Sequence, residues 1–389
     1  MSSANLSSIM LCFICLFKNL FFVIIHNQYL IQAIIIFMFD TFFSSSELLK
    51  IFRGHRKSVN SIDYSAFDGC QFIYSSSYDN TICVWDVKTS KKIQTIDEHF
   101  NILYCVKFSQ YHYNNHNRNV ICFSLFDKTI RFWDIKDNKQ FQVFNRHKGW
   151  VSGIEFSPFN GGQYLCSGSA DKTIRLWNIE TYKSYVFKGH KDSVWCVDFS
   201  PLQSNRRNGI GLIGGNGYTI CSGSFDNTIR IWDIETNKQL IVFEGHKDGI
   251  RSVKYCSTEL GIYGGENTIL SGSDDNSVRL WDTRSGRQIE LFNGHISSVN
   301  DVEYSPLVVS NIEIGGNSNV ICSGSWDNTI RFWDIRSNKE LHVIKGDERD
   351  NGILCLKFAQ LRKNENINST YLCYGAVKGN ICIWGEQLS

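Results

Sequence analysis

The sequence predicts an all-β protein built from seven copies of one small antiparallel sheet stacked radially into a ring, and three observations predict it. Tryptophan recurs at Trp85, Trp133, Trp177, Trp232, Trp281, Trp333 and Trp384, at steps of 44 to 55 residues. The text before each Trp is nearly fixed, as in Ser-Gly-Ser-Phe-Asp-Asn-Thr-Ile-Arg-Ile-Trp-Asp ending at Asp233. Upstream, a Gly-His pair at Gly54-His55, Gly189-His190, Gly245-His246 and Gly294-His295 precedes a segment such as Val194, Val197, Phe199 and Ser200.

Each repeat therefore reads as four strands. The Val-x-x-Val-x-Phe segment is the first, the text on either side of the Asp-Asn turn gives the second and third, and the apolar stretch before the next Gly-His is the fourth. These segments are rich in β-branched and aromatic residues and carry no helical period. A four-stranded sheet of this kind cannot bury both faces alone, and stacking seven of them does so. Composition agrees. With 42% hydrophobic residues and only three prolines among 389 residues, neither a disordered nor a proline-rich chain is possible. The 40 basic against 38 acidic residues give no broad basic footprint, so nucleic acid is not the expected partner.

The 14 cysteines do not describe a secreted disulfide framework. Cys122, Cys166, Cys221, Cys322 and Cys373 each lie eleven residues before a repeat Trp, where Tyr74 and Leu270 stand in other repeats, so the slot wants a small apolar residue and the thiols are read as reduced and structural. Cys12 and Cys15 form a CxxC inside an apolar run with no second pair and no histidine at zinc spacing, and no metal or cofactor is expected.

Through its Gly-His starts and Trp-Asp ends, the sequence from about Glu47 to Gly385 resembles the WD-repeat family, also called β-transducin repeats. The resemblance implies a seven-bladed β-propeller of four-stranded antiparallel blades. The chain ends support closure of the ring. The last repeat stops five residues beyond Trp384, whereas Leu48 to His55 aligns with Leu240 to His246 and has no first three strands of its own. The N-terminal strand is thus expected to complete the last blade and remove an open edge. The organisation read from the sequence is an apolar segment over residues 1–46 and a seven-repeat propeller over 47–389, expected to be monomeric.

Five repeats hold a His, a Ser and an Asp at fixed distances from Trp: His55, Ser75, Asp79 and Trp85; His147, Ser167, Asp171 and Trp177; His190, Ser222, Asp226 and Trp232; His246, Ser271, Asp275 and Trp281; His295, Ser323, Asp327 and Trp333. The residue types are those of a hydrolase triad, but an enzyme needs one such site rather than five. The resemblance implies a buried Asp-His-Ser-Trp hydrogen-bond chain in each blade, with no catalytic residue among them. Repeat two has His99 and Asp127 but Phe123 for Ser. Repeat seven has Asp347 near the His slot, Tyr374 for Ser and Lys378 for Asp, so the closing blade is expected to lack the network and to be the softest.

Two decoys are set aside. Gly209-Ile210-Gly211-Leu212-Ile213-Gly214 spells GxGxxG but leads into a strand rather than opening a helix. His112 and His116 are read as solvated histidines in a polar loop.

Comparing the repeats with one another separates frame from surface. The residue after the first valine of the inner strand reads Asn60, Tyr104, Ser152, Trp195, Arg251, Asn300 and Leu354. The residue before the turn Asp reads Tyr78, Phe126, Ala170, Phe225, Asp274 and Trp326, with Val377 in the matching slot. The resemblance implies that both sets surround the mouth of the central channel. Trp195, Phe225, Trp326, Tyr78, Phe126 and Tyr104 would offer rigid apolar surface, Arg251 and Asp274 charged contacts, and Trp150 a further ring, which is the chemistry of a protein-binding hot spot. The opposite face should carry solvated insertions at 110–119, 201–217, 257–267, 306–319 and 360–369, with Pro158, Pro201 and Pro306 opening these connections.

Residues 9–39 are strongly apolar but broken by Lys18, Asn19, His26, Asn27, Gln28 and Gln32, short of a clean membrane span. A membrane anchor and a disordered extension both remain open for this segment. The function expected is a non-catalytic adaptor in a multiprotein complex, cytoplasmic or nuclear. The alternatives are a membrane-tethered adaptor and a propeller-based enzyme.

Overall fold

The computed structural model describes residues 42–67, 70–97, 101–200, 218–256, 267–311, 316–364 and 367–386. Residues 9–39, His99, Pro201 and the GxGxxG stretch lie outside them.

Among the described residues, twenty-eight strands, β1–β28 in chain order, form seven four-stranded antiparallel sheets. Six blades use consecutive strands: β2–β5 over 59–96, β6–β9 over 103–144, β10–β13 over 151–188, β14–β17 over 194–244, β18–β21 over 250–292 and β22–β25 over 299–345. The seventh combines β26 (Ile353–Asn364), β27 (Ile367–Ala376) and β28 (Ile381–Glu386) with β1 (Ser46–Phe52) from the other end of the chain. Phe52 pairs with Ile381 and Leu48 with Trp384, so the ring is clasped by backbone hydrogen bonds. This is an all-β seven-bladed β-propeller, closed by its N-terminal strand.

The core lies between blades, and the small residue in the Ser-Gly-Ser text explains how close they come. A Cβ at Gly223 would sit 2.5 Å from Ile250 Cγ2 of the next blade, and one at Gly375 would sit 2.7 Å from Val59 Cγ1, across the closure. Those inner-strand residues, Val59, Val194, Ile250, Val299 and Ile353, are fully buried, so a side chain at the five glycines that face them would press on the next blade, while the first two blades hold the small Ser76 and Ser124 in the same slot. The cysteines of the second strands fill the same layer: Cys122, Cys166, Cys221 and Cys322 have no exposed surface. The turns between the second and third strands of a blade, the B–C turns, place Asn80, Lys128, Lys172, Asn227, Asn276 and Asn328 in the left-handed region, at φ between 64° and 74°.

The face opposite the turns departs from its expected loops in three places. Residues 110–116 form a helix, α1 (Gln110–His116), and His112 is buried, its Nδ1 2.8 Å from Ser109 Oγ. His112 is therefore not a solvated loop histidine; burial, then the charges of His116 and Arg118, lower its pKa to about 4. The insertion after Tyr304 is a continuation of the blade, with β22 (Val299–Asn311) paired to β23 (Gly316–Ser325) beyond a register break between Tyr304 and Val308 that contains Pro306. Gln360, Leu361 and Arg362 likewise pair with Thr370, Ser369 and Asn368.

One helical turn at residues 42–45 precedes β1. Phe42 is buried in the cluster holding Val320, Phe332 and Ile344, and Phe43 lies edge-on to Phe332 at 4.7 Å. The chain that enters the closing blade is thus anchored on the sixth. Among the described residues no helix is long and apolar enough to cross a membrane.

Candidate functional site

The repeated His, Ser and Asp come together in one geometry. In the fourth blade His190 Nδ1 lies 2.9 Å from Asp226 Oδ2 and Nε2 lies 2.7 Å from Ser222 Oγ, which accepts the Trp232 indole N–H at 2.8 Å. The blades of Ser75, Ser167, Ser271 and Ser323 repeat this, with His–Asp distances of 2.8 to 3.0 Å. The aspartate is acceptor-only and saturated: Asp226 Oδ2 also takes the Lys191 backbone N–H, and Oδ1 takes the amide and hydroxyl of Thr228. Each of the five serines is fully buried and already engaged by a tryptophan, so no substrate carbonyl can reach Oγ. The arrangement pairs buried polar groups and ties the loop before each inner strand to the B–C turn.

The electrostatics differ between blades. Burial lowers the pKa of His147, His190 and His246, aided in each by an arginine, such as Arg230, two residues before the Trp. The first repeat has Cys83 in that slot. There burial also opposes the charge, but the bonds to Asp79 and Cys83 outweigh it and raise His55 to about 9. All five aspartates are held below the carboxylate range: burial works against them, and the paired histidine dominates.

The closing blade reaches the same end with other residues. Asp350, not Asp347, occupies the histidine's place: it is fully buried, accepts Asn380 Nδ2 at 2.7 Å and the Asp347 N–H at 3.1 Å, and has the Tyr374 hydroxyl at 3.4 Å. Lys378 donates its backbone N–H to Asp350 O. The expected lack of a network in this blade is corrected: a Tyr-Asp-Asn cluster replaces it. In the second blade Asp127 is held by Thr129 and by Arg131 at 2.6 Å.

The seven residues after the first valine of each inner strand all line a central cavity of about 190 Å³, together with Tyr78 and Trp326. They divide into two kinds. Asn60 and Asn300 donate across to the Leu103 and Ile353 carbonyls of the next blades, at 2.7 Å each, and Ser152 to the Val194 carbonyl at 2.7 Å, so these three are ties between blades. Of the other four, Leu354 is an aliphatic lining residue, and Tyr104 and Trp195 join Tyr78 and Phe225 in one aromatic run beside Arg251: Tyr78 lies edge-on to Tyr104 at 6.1 Å, Tyr104 edge-on to Trp195 at 5.7 Å, and Trp195 stacks on Phe225 at 5.1 Å. The Arg251 guanidinium sits 4.9 Å from the Trp195 ring centre and 5.0 Å from that of Phe225. Its Nε donates to Asp274 at 2.8 Å, so Arg251 and Asp274 answer one another rather than standing as two separate charges. Burial, then Tyr78, push the Tyr104 phenol up to about 12, which keeps it a neutral donor. Trp326 is 43% exposed at the same mouth, and Phe126, 41% exposed, stacks on Trp150 at 5.6 Å away from the cavity lining.

Deeper in the channel is a feature the comparison of repeats passed over. Four residues beyond the first valine, the inner strands carry Asp63, Lys107, Glu155, Asp198, Lys254, Glu303 and Lys357, a charged residue in every blade. Lys107 meets Glu155 at 2.5 Å, and Lys254 and Lys357 meet Glu303 at 3.2 and 3.8 Å. Asp63, Asp198 and, one layer up, Asp301 accept the backbone N–H of Phe108, Tyr255 and Leu356 in the following blade. Burial raises Asp198 and Asp301, whereas for Glu155 and Glu303 the surrounding lysines overcome burial and lower them. Lys107, Glu155, Lys254, Glu303 and Lys357 of this belt line the same cavity, and its ion pairs and backbone bonds stitch neighbouring blades. Its signal was in the sequence: seven charges in register inside otherwise apolar strands.

Fold and repeat geometry together define a β-propeller whose blades each carry a structural hydrogen-bond cluster and whose inner strands build a lined central mouth. The profile of the family described as WD domain, G-beta repeat matches residues 46–86, 90–134, 138–178, 182–233, 237–282 and 286–334, and the chain belongs to that family. Similar proteins include cell division control protein 4 of Saccharomyces cerevisiae, 26% identical over 41% of this chain and 19% of that protein. The E3 ubiquitin-protein ligase COP1 of Arabidopsis thaliana is 27% identical over 45% of this chain and 23% of its own. The ribosome biogenesis protein WDR12 homolog of rice, Oryza sativa subsp. japonica, is 32% identical over 33% of this chain and 28% of its own. The matched regions thus span less than a third of each of these relatives.

Proposed function

We propose that this protein is a non-catalytic scaffold that binds a segment of a partner protein at the channel mouth. The observation that carries the reading is the continuous aromatic run Tyr78, Tyr104, Trp195 and Phe225, capped by Arg251, at a cavity also lined by the exposed Trp326 and by ion-paired residues of the charge belt. Rings fixed by stacking lose little freedom on binding, and aromatic and arginine side chains supply large contact area at a hot spot. The cavity is too small for a drug-sized molecule, but it suits one or two side chains of a segment laid over it. The family supports an interaction role of this kind, and the relatives named for ribosome biogenesis and ubiquitin ligation suggest a place in a multiprotein assembly of the cytoplasm or nucleus.

The test is affinity capture from native lysate by the full chain and by its Trp195→Ala/Trp326→Ala variant. Partners held by the first and lost by the folded variant support the reading; an unchanged set of partners overturns it.

A further inference from the structure

The face bearing the mouth is not evenly charged. Over the second, third and fourth blades, exposed lysines stand at Lys128, Lys148, Lys172 and Lys191. They form one arc because the backbone links them. The Phe126 ring, two residues from Lys128, stacks on Trp150, two residues from Lys148, with the ring planes 7° apart. The Trp150 carbonyl accepts the Ala170 N–H at 2.9 Å, and Lys172, two residues on, donates its ammonium to the Lys191 carbonyl at 2.7 Å. The acidic groups beneath are already committed: Asp171 and Asp226 to their histidines, and Asp127 to Arg131. Exposed Asp192 turns back on the Ser193 amide. Across the ring the signs are mixed: Asp248, Asp347 and Glu348 are exposed beside Lys247, Arg349 and Lys378, and Ile296 replaces the basic residue that follows the network histidine in other blades.

We propose that the arc Lys128, Lys148, Lys172 and Lys191, with the Phe126–Trp150 stack at its centre, docks an acidic segment of a partner protein. The proposal rests on the scaffold reading and gives that reading its partner chemistry. The occupant carries carboxylates on either side of an apolar residue: the carboxylates meet the lysines, and the apolar side chain lies on the open face of Phe126. Charge complementarity selects it. A long polyanion such as single-stranded nucleic acid would also find lysines and stacking rings, but one extending past the fourth blade would meet Lys247 and Asp248 together and then the uncharged Ile296, with no further run of one sign. A short acidic segment covers the lysine arc alone.

The experiment is fluorescence anisotropy with a labelled Glu-Glu-Phe-Glu-Glu peptide, a Lys-Lys-Phe-Lys-Lys peptide and an oligodeoxythymidylate, on the full chain. The acidic peptide is expected to bind, to weaken by about tenfold or more on Lys148→Glu/Lys172→Glu/Lys191→Glu, and to weaken as salt rises from about 50 to about 300 mM. Phe126→Ala should weaken it without changing the salt dependence. All four positions are exposed, so the variants keep the fold, checked by their melting curves. Equal binding of the acidic and basic peptides, no effect of the triple variant, or tighter binding of the oligonucleotide would each overturn the proposal. Retained Trp195- and Trp326-dependent lysate capture in the triple variant would then leave the scaffold reading standing.

Discussion

The fourth blade and the closing blade hold the same joint with different chemistry. In the fourth, four consecutive strands are tied by His190, Asp226, Ser222 and Trp232. The closing blade borrows a strand from the far end of the chain and ties its turn through Asp350, Asn380 and Tyr374. That a Tyr-Asp-Asn cluster serves where His-Ser-Asp serves elsewhere shows that the joint needs buried polar groups satisfied across a loop and a turn, not a proton relay. Residues that look catalytic in the sequence are therefore frame, and residues that vary between blades are the surface.

The largest expected effect comes from breaking the closure. Removing residues 1–52, and with them β1, exposes β28 along its length and should abolish the cooperative melting transition seen by circular dichroism. A chain that still melts cooperatively near the native temperature would show that the closing strand is dispensable. Next, Asp350→Ala leaves the Asn380 amide and the Asp347 N–H without their buried acceptor, and should cost about 3 kcal/mol in urea unfolding. His190→Ala, in a blade whose strands are contiguous, should cost about 2 kcal/mol. The reverse order would mean that the closing blade is held by packing alone.

A pH series sharpens the comparison within the histidine blades. The pKa of His55 is raised from 6.5 to about 9 in the fold, so its contribution is full below pH 6.5 and lost as pH rises to about 9. The stability difference between wild type and His55→Asn should shrink over that window. His190, lowered by burial, behaves oppositely: its contribution is present above pH 6.5 and lost as pH falls below it. Parallel profiles for His55→Asn and His190→Asn would contradict the role given to Cys83 and Arg230. The smallest effect belongs to the mouth. Trp326→Ala should change stability by less than about 1 kcal/mol because 43% of the residue is exposed, whereas Trp195→Ala, which loses Tyr104, Phe225 and Arg251 as neighbours, should cost about 1 to 2 kcal/mol.

Most of the fold was legible because each blade repeats the same local rules: the Asp-Asn turn, the small residue where blades meet, and the Gly-His before the inner strand. The ring closure could be read from two incomplete ends. What escaped was set by three-dimensional partners. Asp350 lies outside the alignment slot that pointed to Asp347, and only its contact with Asn380 marks it. The α1 helix and the long β22–β23 hairpin arise in polar insertions whose composition reads as loop. Arg251 and Asp274 could be placed at the mouth but not paired, since 23 residues of sequence separate them. The charge belt is visible as seven in-register charges, but their signs differ from blade to blade, and which lysine meets which carboxylate is set by the ring and not by the repeat.

The most direct test separates frame from mouth in one experiment: affinity capture from native lysate by wild type, Trp195→Ala/Trp326→Ala and His190→Ala, each at a temperature where its melting curve shows it folded. The account predicts that the aromatic variant loses the wild-type partners while His190→Ala keeps them. Loss of the partners from His190→Ala with retention by the aromatic variant would contradict it.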